Sequence, residues 1–335
     1  MLQYIVKRLF LSIFTLLIIM FASYAMLRLA PGDPTRSNFM DGSSAGVTSS
    51  EKNEFARNEA LIKKLKLDKS VFAGFSEWLL DIVKHGDFGT SATVEPGRSV
   101  VAMISERLPV TIKLNLIAVT FAYTIAIVIG VYSAIYADGS FDRSSTLLLF
   151  ILYSMPVMWV GLLLQSAFCS GGMLPVFPLR GVYTPPAEMS TFKAMAMELY
   201  YYALPALCLA YGSLAGLARY TRSNMLEVLN SDYIRTAYAK GLSASSVIWK
   251  HAFRNTLITL ITLFSGLLPS LVAGSIIVEH IFNIPGMGTL SLLSLSSRDY
   301  PLQMALFTFS GMLTLLGIFT ADLLYTAADP RIKLD

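Results

Sequence analysis

The sequence predicts an all-α protein, a polytopic membrane helix bundle of about six transmembrane helices. Of its 335 residues, 54% are hydrophobic and 14% are charged, whereas an average soluble domain has about 45–50% apolar and about 25% charged residues. Six windows free of Asp, Glu, Lys and Arg are close to the about 20 residues that a helix needs to cross a bilayer. The alternating segments of about ten residues that mark a membrane barrel are absent from the sequence, which favours helices.

The six windows cover residues 9–27, 114–137, the first two thirds of 144–179, 199–218, 255–278 and 300–321. The first window follows Lys7 and Arg8, as the core of a secretory signal does. Its uncharged run is longer than the about 7–15 residues of such a core, so we expect an uncleaved anchor. The N-terminus then stays in the cytoplasm.

Six crossings return the C-terminus to the cytoplasm, and the basic residues agree with this orientation. The positive-inside rule is satisfied by eleven Lys and Arg residues on the predicted cytoplasmic side: Lys7, Arg8, Arg143, Arg219, Arg222, Arg235, Lys240, Lys250, Arg254, Arg331 and Lys333. The first outside loop is also rich in Lys, but it is too long to count strongly in this rule. The net charge of +4 mostly reflects these anchors, so it indicates no nucleic-acid partner.

The chain is predicted to have three segments, namely a first transmembrane helix at 1–30, an external loop at 31–113, and a five-helix core at 114–335. The external loop contains amphipathic stretches, one of which places Phe72, Phe75, Leu79 and Ile82 at spacings of three and four. We expect these stretches to cap the bundle rather than to lie on the membrane surface.

Within the windows, some residue types predict packing and bending rather than chemistry. Bends are expected where proline removes a backbone hydrogen bond, at Pro156, Pro205 and Pro269. Close helix contacts are expected at the small residues Ala126, Gly130, Gly212 and Gly216. Both cysteines, Cys169 and Cys208, are expected to be buried, unreactive thiols, with no disulfide.

The segment at 219–255 is the only long connection on the predicted cytoplasmic side, and its pattern indicates a helical hairpin. Residues 232–240 favour a helix, Gly241 suits a left-handed residue after it, and Ser243 can cap a second helix near Ala244. Small side chains form a possible docking face between two cations, in the order Arg235, Thr236, Ala237, Ala239 and Lys240. From the pattern alone, a solvated connecting loop explains these residues equally well.

The hairpin sequence DYIRTAYAKGL at 232–242, followed by HAFRN at 251–255, resembles the EAA loop of dipeptide, oligopeptide and nickel ABC permeases. It departs from the generic EAA pattern where Arg235 and Thr236 replace Glu-Ala and where His251, Phe253 and Arg254 replace Ile, Leu and Pro. The resemblance makes 219–255 an EAA-type coupling loop. It implies ATPase contacts at Asp232, Tyr233, Arg235, Thr236, Ala237, Ala239, Lys240 and Gly241.

The resemblance covers nearly the whole chain. It includes RLAPGDP at 28–34, GDFGTS at 86–91, RLPVT at 107–111, EHIFNIPGMG at 279–288, RDYP at 298–301 and DPR at 329–331. It implies the permease subunit of a type I ABC importer in a bacterial inner membrane, paired with a second homologous permease subunit. Two cytoplasmic ATPase subunits would bind ATP and Mg, and an external binding protein would deliver peptides or a similar small solute.

No cofactor and no catalysis are expected on this chain, which lacks the G-x-x-x-x-G-K-[ST] phosphate loop. A membrane enzyme is disfavoured because His85, His251 and His280 are far apart and no metal-ligand spacing occurs. An ion-coupled secondary transporter would carry ionisable residues deep in its spans, and this sequence has almost none.

The solute pathway is predicted less sharply than the coupling loop. Glu279, Phe282 and Asn283 fall in a turn broken by glycine and proline, so they are candidates for an outer gate. For Glu279 the alternative is a carboxylate at a helix end in the membrane interface. Tyr153 and Ser154, together with Asn115 and Gln165, are candidates for polar pathway lining.

Overall fold

A computed structural model describes residues 2–29, 69–169, 171–179, 181–186, 188–257, 260, 263, 271 and 274–328. The first six described helices are α1 Leu2–Leu29, α2 Val71–His85, α3 Val100–Ile135, α4 Ser140–Ser154, α5 Val157–Phe168 and α6 Thr191–Leu229. They are followed by α7 Asp232–Ala239, α8 Ala244–Ser246, a π-helical turn at Val247–Ala252, α9 Ile276–Ile281, α10 Met287–Ser296 and α11 Tyr300–Ala328. The described residues contain isolated β-bridges but no β-strand, so the all-α prediction is confirmed.

Among the described residues, four helices are long and apolar enough to cross a membrane, at Val6–Leu29, Val100–Ile135, Thr191–Leu229 and Tyr300–Asp322. A fifth candidate is the pair α4 and α5, whose axes are bent by 102°. The predicted window at 255–278 lies largely outside the described residues, so the number of six spans stays a prediction. Its far end differs from the expectation, since Gly274 is left-handed and Ser275 caps the separate short helix α9.

Proline explains why the third window forms two helices instead of one. Pro156 precedes α5 as its N-cap, and Met155 is extended, with φ −85° and ψ 131°. Proline disfavours the α conformation in the residue before it, which ends α4 there. The bend predicted at Pro156 is therefore a complete break. Pro205 lies inside the unbroken helix α6, and Pro269 lies outside the described residues.

Among the long helices, α3 and α6 extend furthest beyond their apolar windows. The amphipathic stretch near residue 100 and the second window form the single helix α3, which runs through Pro109, and α6 extends beyond the fourth window at both ends. Lys113 of α3 and Glu198 of α6 form an ion pair at 2.6 Å. The two charges therefore limit the uncharged windows, although the helices themselves continue past them.

The chain divides into two compact units, one from Met1–Pro109 with Thr289–Leu316 and one from Val110–Gly288 with Gly317–Leu334. In the second unit, α3 and α6 both contribute small residues to one buried apolar cluster: Ala118, Ala122, Ala126, Ala206, Ala210 and Ala218. A β-carbon at Gly130 would lie 2.5 Å from Thr221 Cβ, which confirms the predicted close packing there. By contrast, added β-carbons at Gly212 and Gly216 would meet no described atom within 4 Å beyond the adjoining backbone of α6. Both cysteines are free and buried, as predicted.

Candidate functional site

The predicted hairpin after α6 is present with its turn and cap in the expected places. Helix α7 spans Asp232–Ala239, and Gly241 follows with a left-handed φ of 78°. The Ser243 hydroxyl accepts a hydrogen bond from the Ser246 amide at 3.4 Å, which starts α8. The second arm then continues as a π-helical turn at Val247–Ala252, a local geometry that is often found at functional sites.

The inner face of the hairpin packs on the helix bundle of its own unit. Ile234 and Ala237, three residues apart on α7, are buried in one apolar cluster with Val131, Ala134, Met225, Val247 and Ala252. Ala239 is exposed, because residues two apart on a helix point in nearly opposite directions. The expectation that Ala237 and Ala239 share one outward docking face is therefore wrong.

The outer face of the hairpin is exposed and combines aromatic, cationic and apolar side chains. On α7 and the turn after it, the exposed residues are Asp232, Tyr233, Arg235, Thr236, Tyr238, Ala239, Lys240, Gly241 and Leu242. The amide of Asn255 donates a 2.5 Å hydrogen bond to the Tyr233 hydroxyl and so connects the two arms. The Arg235–Asp232 ion pair is longer, at 3.6 Å, and both side chains are exposed, so it adds little stability.

A buried carboxylate fixes the hairpin end of α6. Arg222 Nε and Nη2 each donate a 2.7 Å hydrogen bond to Asp142, which belongs to the first turn of α4. The Asp138 amide donates to the same carboxylate at 2.9 Å. This forked contact is among the strongest that side chains make. It joins α6, one of the helices on which the hairpin packs, to the start of the broken helix pair.

The turn at 274–288 closes around the side chain of Glu279. Its carboxylate is fully buried and accepts hydrogen bonds from the Thr111 hydroxyl at 3.1 Å and the Ser275 amide at 3.3 Å. The Thr111 hydroxyl in turn accepts from the Met287 amide at 2.7 Å. A β-carbon added at Gly286 would lie 2.6 Å from the Glu279 carboxyl group. Glycine is therefore required where the backbone passes this carboxylate.

These positions change the interpretation of the predicted gate. Glu279 and Phe282 are 0% and 1% exposed, so neither side chain forms an open rim. Asn283 is exposed, with a left-handed φ of 50°. The side chains of Glu279 and Phe282 are buried because the turn at 274–288 folds both of them into the protein. A gating role for these residues stays a prediction.

The predicted pathway side chains mostly bind backbone in this structure. Gln165 of α5 donates to the Ile281 carbonyl at 2.6 Å, and Asn115 of α3 donates to the Leu271 carbonyl at 2.8 Å. Ser154 donates to the Phe150 carbonyl at 2.9 Å, while Tyr153 is exposed, both near the break at Pro156. Their part in a pathway stays a prediction.

The first unit contains a carboxylate site that sequence reasoning missed. Asp299 is fully buried and accepts hydrogen bonds from the Ser91 hydroxyl at 2.5 Å and from the amides of Ala92, Thr93 and Val94 at 3.0–3.2 Å. It also caps α11 through the Leu302 amide at 3.3 Å. The available signal was an Asp just before a helix with proline at its second position, which is typical of an N-cap.

Two opposing effects act on the pKa of Asp299. Burial alone would raise it, since the charged form loses contact with water. The hydrogen bonds from Ser91, Thr93, Val94 and Ala92 favour the charged form and hold the pKa of Asp299 below its ordinary value. The carboxylate is therefore charged at neutral pH and fixes the 91–95 segment to the start of α11.

Comparisons with known proteins agree over the whole chain. Residues 126–334 match the family described as "Binding-protein-dependent transport system inner membrane component", and residues 1–115 match its N-terminal counterpart. The chain is 40% identical over 333 residues to the oligopeptide transport system permease protein AppB of Bacillus subtilis, covering 99% of this chain and 100% of the relative. It is 34% identical to the dipeptide transport system permease protein DppB of Bacillus subtilis, covering 100% and 99%. It is 32% identical to the oligopeptide transport system permease protein OppB of Haemophilus influenzae, covering 99% and 100%.

Proposed function

The chain belongs to the family of binding-protein-dependent transport system inner membrane components, and from this membership we propose that it lines the path of peptides through an ATP-driven importer. Members of this family are multi-pass membrane permeases of ABC transporters and are not themselves catalytic. The proposed substrates are peptides, because the relatives are named oligopeptide and dipeptide permeases. The pathway would be completed by a second homologous permease subunit.

The proposed energy source is ATP, bound with Mg by two cytoplasmic ATPase subunits. Each ATPase subunit would dock on the α7–α8 hairpin of one of the two permease subunits. The observation that carries this assignment is the two-sided hairpin. Its inner residues Ile234 and Ala237 are buried against the bundle, and its outer residues are exposed. A displacement applied to the outer face would therefore reach α6 through Met225 and α3 through Val131.

The chemistry of the outer face suits a groove on a soluble protein. Tyr233, Tyr238 and Leu242 are each about 40–45% exposed and supply apolar area, while Arg235 and Lys240 supply positive charge. Aromatic and arginine side chains are common at the centres of protein interfaces. The ATPase groove is therefore expected to be apolar with an acidic border.

The docking proposal is tested with two matched substitutions. Ala239→Glu places a bulky acid on the exposed outer face, and Ala137→Glu places the same side chain on an exposed turn between α3 and α4. We expect Ala239→Glu to insert and fold as the parent does, but to lose co-purification with the ATPase and peptide uptake in proteoliposomes. Ala137→Glu should retain both. Normal assembly and uptake of Ala239→Glu would make the hairpin a simple connector.

The proposed orientation places both termini and the hairpin in the cytoplasm. Because both native cysteines are buried, a membrane-impermeant maleimide should report single introduced cysteines with little background. Thr184→Cys should be labelled from outside intact cells, and Ser245→Cys should be labelled only after the cells are opened. Labelling of position 245 in intact cells would reverse the proposed topology.

A further inference from the structure

Helix α2 is attached to the last turns of the first membrane span by aromatic side chains. The Phe72 ring stacks on Phe21 at 5.0 Å, and the Phe75 ring contacts both Phe21 and Tyr24 at 5.2 and 5.8 Å. Trp78 stacks on Tyr24 at 6.1 Å. These contacts determine which side of α2 faces α1.

The surface of α2 has three sectors at 100° per residue. One sector faces α1 and carries Phe75, Trp78 and Ile82. The next sector carries Phe72, Ser76, Leu80 and Val83, which we call the apolar stripe, and the third carries the polar residues Glu77, Asp81, Lys84 and His85. Phe72 and Val83 are each 74% exposed and Leu80 is 50% exposed. A large exposed apolar surface beside a separate polar sector is typical of helices that lie in a membrane interface.

The only polar side chain of the apolar stripe is already satisfied within the helix. The Ser76 hydroxyl donates to the Ala73 carbonyl at 2.9 Å, so it does not require water. In the polar sector, by contrast, Glu77 forms a 2.5 Å ion pair with Lys69, which lies just before the helix. The stripe can therefore enter an apolar medium without carrying an unsatisfied donor.

The position of these ring contacts along α1 indicates whether the apolar stripe faces lipid. Phe21 precedes the end of the span at Leu29 by eight residues, or about 12 Å at about 1.5 Å per residue. Met26 and Leu29, nearer that end, are themselves 73% exposed, as side chains facing lipid would be. The first turns of α2 thus lie beside the last turns of the apolar window of α1.

We propose that α2 is an interfacial membrane anchor whose apolar stripe is embedded in phospholipid, in the leaflet where α1 ends. The lipid surface of α1 continues directly onto the stripe at the stacked Phe21 and Phe72 rings. The amphipathic segment therefore does not only cap the bundle, as its sequence suggested. It also fixes the depth and rotation of α1 by holding Arg28, which donates to the Ser70 carbonyl at 3.1 Å.

The proposal is tested on the assembled importer in phospholipid nanodiscs. In a Cys169→Ala, Cys208→Ala background, a nitroxide is attached at Phe72→Cys, Leu80→Cys or Val83→Cys, with Lys84→Cys of the polar sector as the control. Collision rates are measured with oxygen, which concentrates in lipid, and with a water-soluble nickel chelate. We expect the oxygen-to-nickel ratio to be several-fold higher at all three stripe positions than at Lys84, and highest at Phe72.

Two results would overturn the anchor. Nickel collisions exceeding oxygen collisions at Leu80 and Val83 would place the stripe in water. Low rates for both probes would mean that protein covers it, either residues 30–68 of this chain, the second permease subunit or the binding protein. Because Phe72→Cys removes a ring contact with α1, positions 80 and 83 decide the outcome if that variant fails to assemble.

Discussion

The hydroxyl of Ser91 donates a 2.5 Å hydrogen bond to the carboxylate of Asp299, which lies 208 residues later in the chain. The same carboxylate accepts from three successive amides and caps α11. One side chain therefore sets the conformation of the 91–95 segment and the start of the last helix together. Thr93 strengthens the connection by donating to the Ser297 carbonyl at 2.9 Å.

Asp299→Asn should destabilise this contact. The amide retains the size of the side chain but removes its charge, and its NH₂ group cannot accept the hydrogen bonds that now reach Oδ2. We expect a loss of about 1–3 kcal/mol of stability, measured as a lower midpoint of thermal unfolding in nanodiscs. Asp87→Asn, at an exposed carboxylate that accepts from the Gly89 amide, is the control and should change the midpoint less. Equal effects would contradict a special role for Asp299.

The stabilisation from Asp299 should depend on pH. Because the pKa of Asp299 is lower in the folded protein than its ordinary value of about 3.9, its contribution is complete above that value. It is lost as the pH falls through the lowered pKa. The difference in unfolding midpoint between the parent and Asp299→Asn should therefore be constant near neutral pH and shrink in acid. A difference that does not shrink as the pH falls below the ordinary pKa would contradict this pKa shift.

Gly286→Ala should disturb the buried Glu279 site. The added methyl would lie 2.6 Å from both the Glu279 carboxyl group and the Thr111 hydroxyl, so the turn has to move. We expect a loss of about 1–3 kcal/mol of stability together with reduced peptide uptake. Gly311→Ala is the matched control, since its methyl would meet Ile19 at an ordinary 3.4 Å. Parent-like stability and uptake in Gly286→Ala would show that the turn adapts freely.

Two substitutions at Gly241 distinguish the effect of backbone strain from the effect of a direct contact with the ATPase. Apart from the two adjoining residues, no described atom lies within 4 Å of an added β-carbon, so the left-handed φ of 78° is what restricts this position. Valine there should cost about 1–2 kcal/mol, whereas asparagine tolerates this conformation. We expect Gly241→Val to weaken co-purification with the ATPase and Gly241→Asn to behave like the parent. Loss of assembly in both variants would point to a direct contact at this position.

Features controlled by neighbouring residues could be predicted from the sequence. The hairpin is the clearest case, because a helix, a glycine after its end and a serine cap are all local signals, and each is found where it was expected. The four helices that are long and apolar enough to cross a membrane follow from composition in the same way. Their lengths could not be predicted, since a charged residue such as Lys113 ends an uncharged window but does not end a helix.

Features that depend on distant partners could not be predicted. The motifs containing Ser91, Thr111, Glu279 and Asp299 were each recognised, but a single sequence does not show which motif contacts which. The direction of Ala237 was also ambiguous, because small residues suit both a partner groove and an internal cluster. Its spacing of three from Ile234 was the available signal for the internal cluster.

The close approach of α3 and α6 at Gly130 restricts how this sequence can evolve. A β-carbon at position 130 would lie 2.7 Å from the backbone oxygen of Ala218 as well as 2.5 Å from Thr221 Cβ. A smaller residue at 221 would relieve only the second overlap, since a carbonyl oxygen is present whatever the side chain. No single compensating substitution on α6 can therefore admit alanine at 130, and variation at this position requires the two helices to move apart.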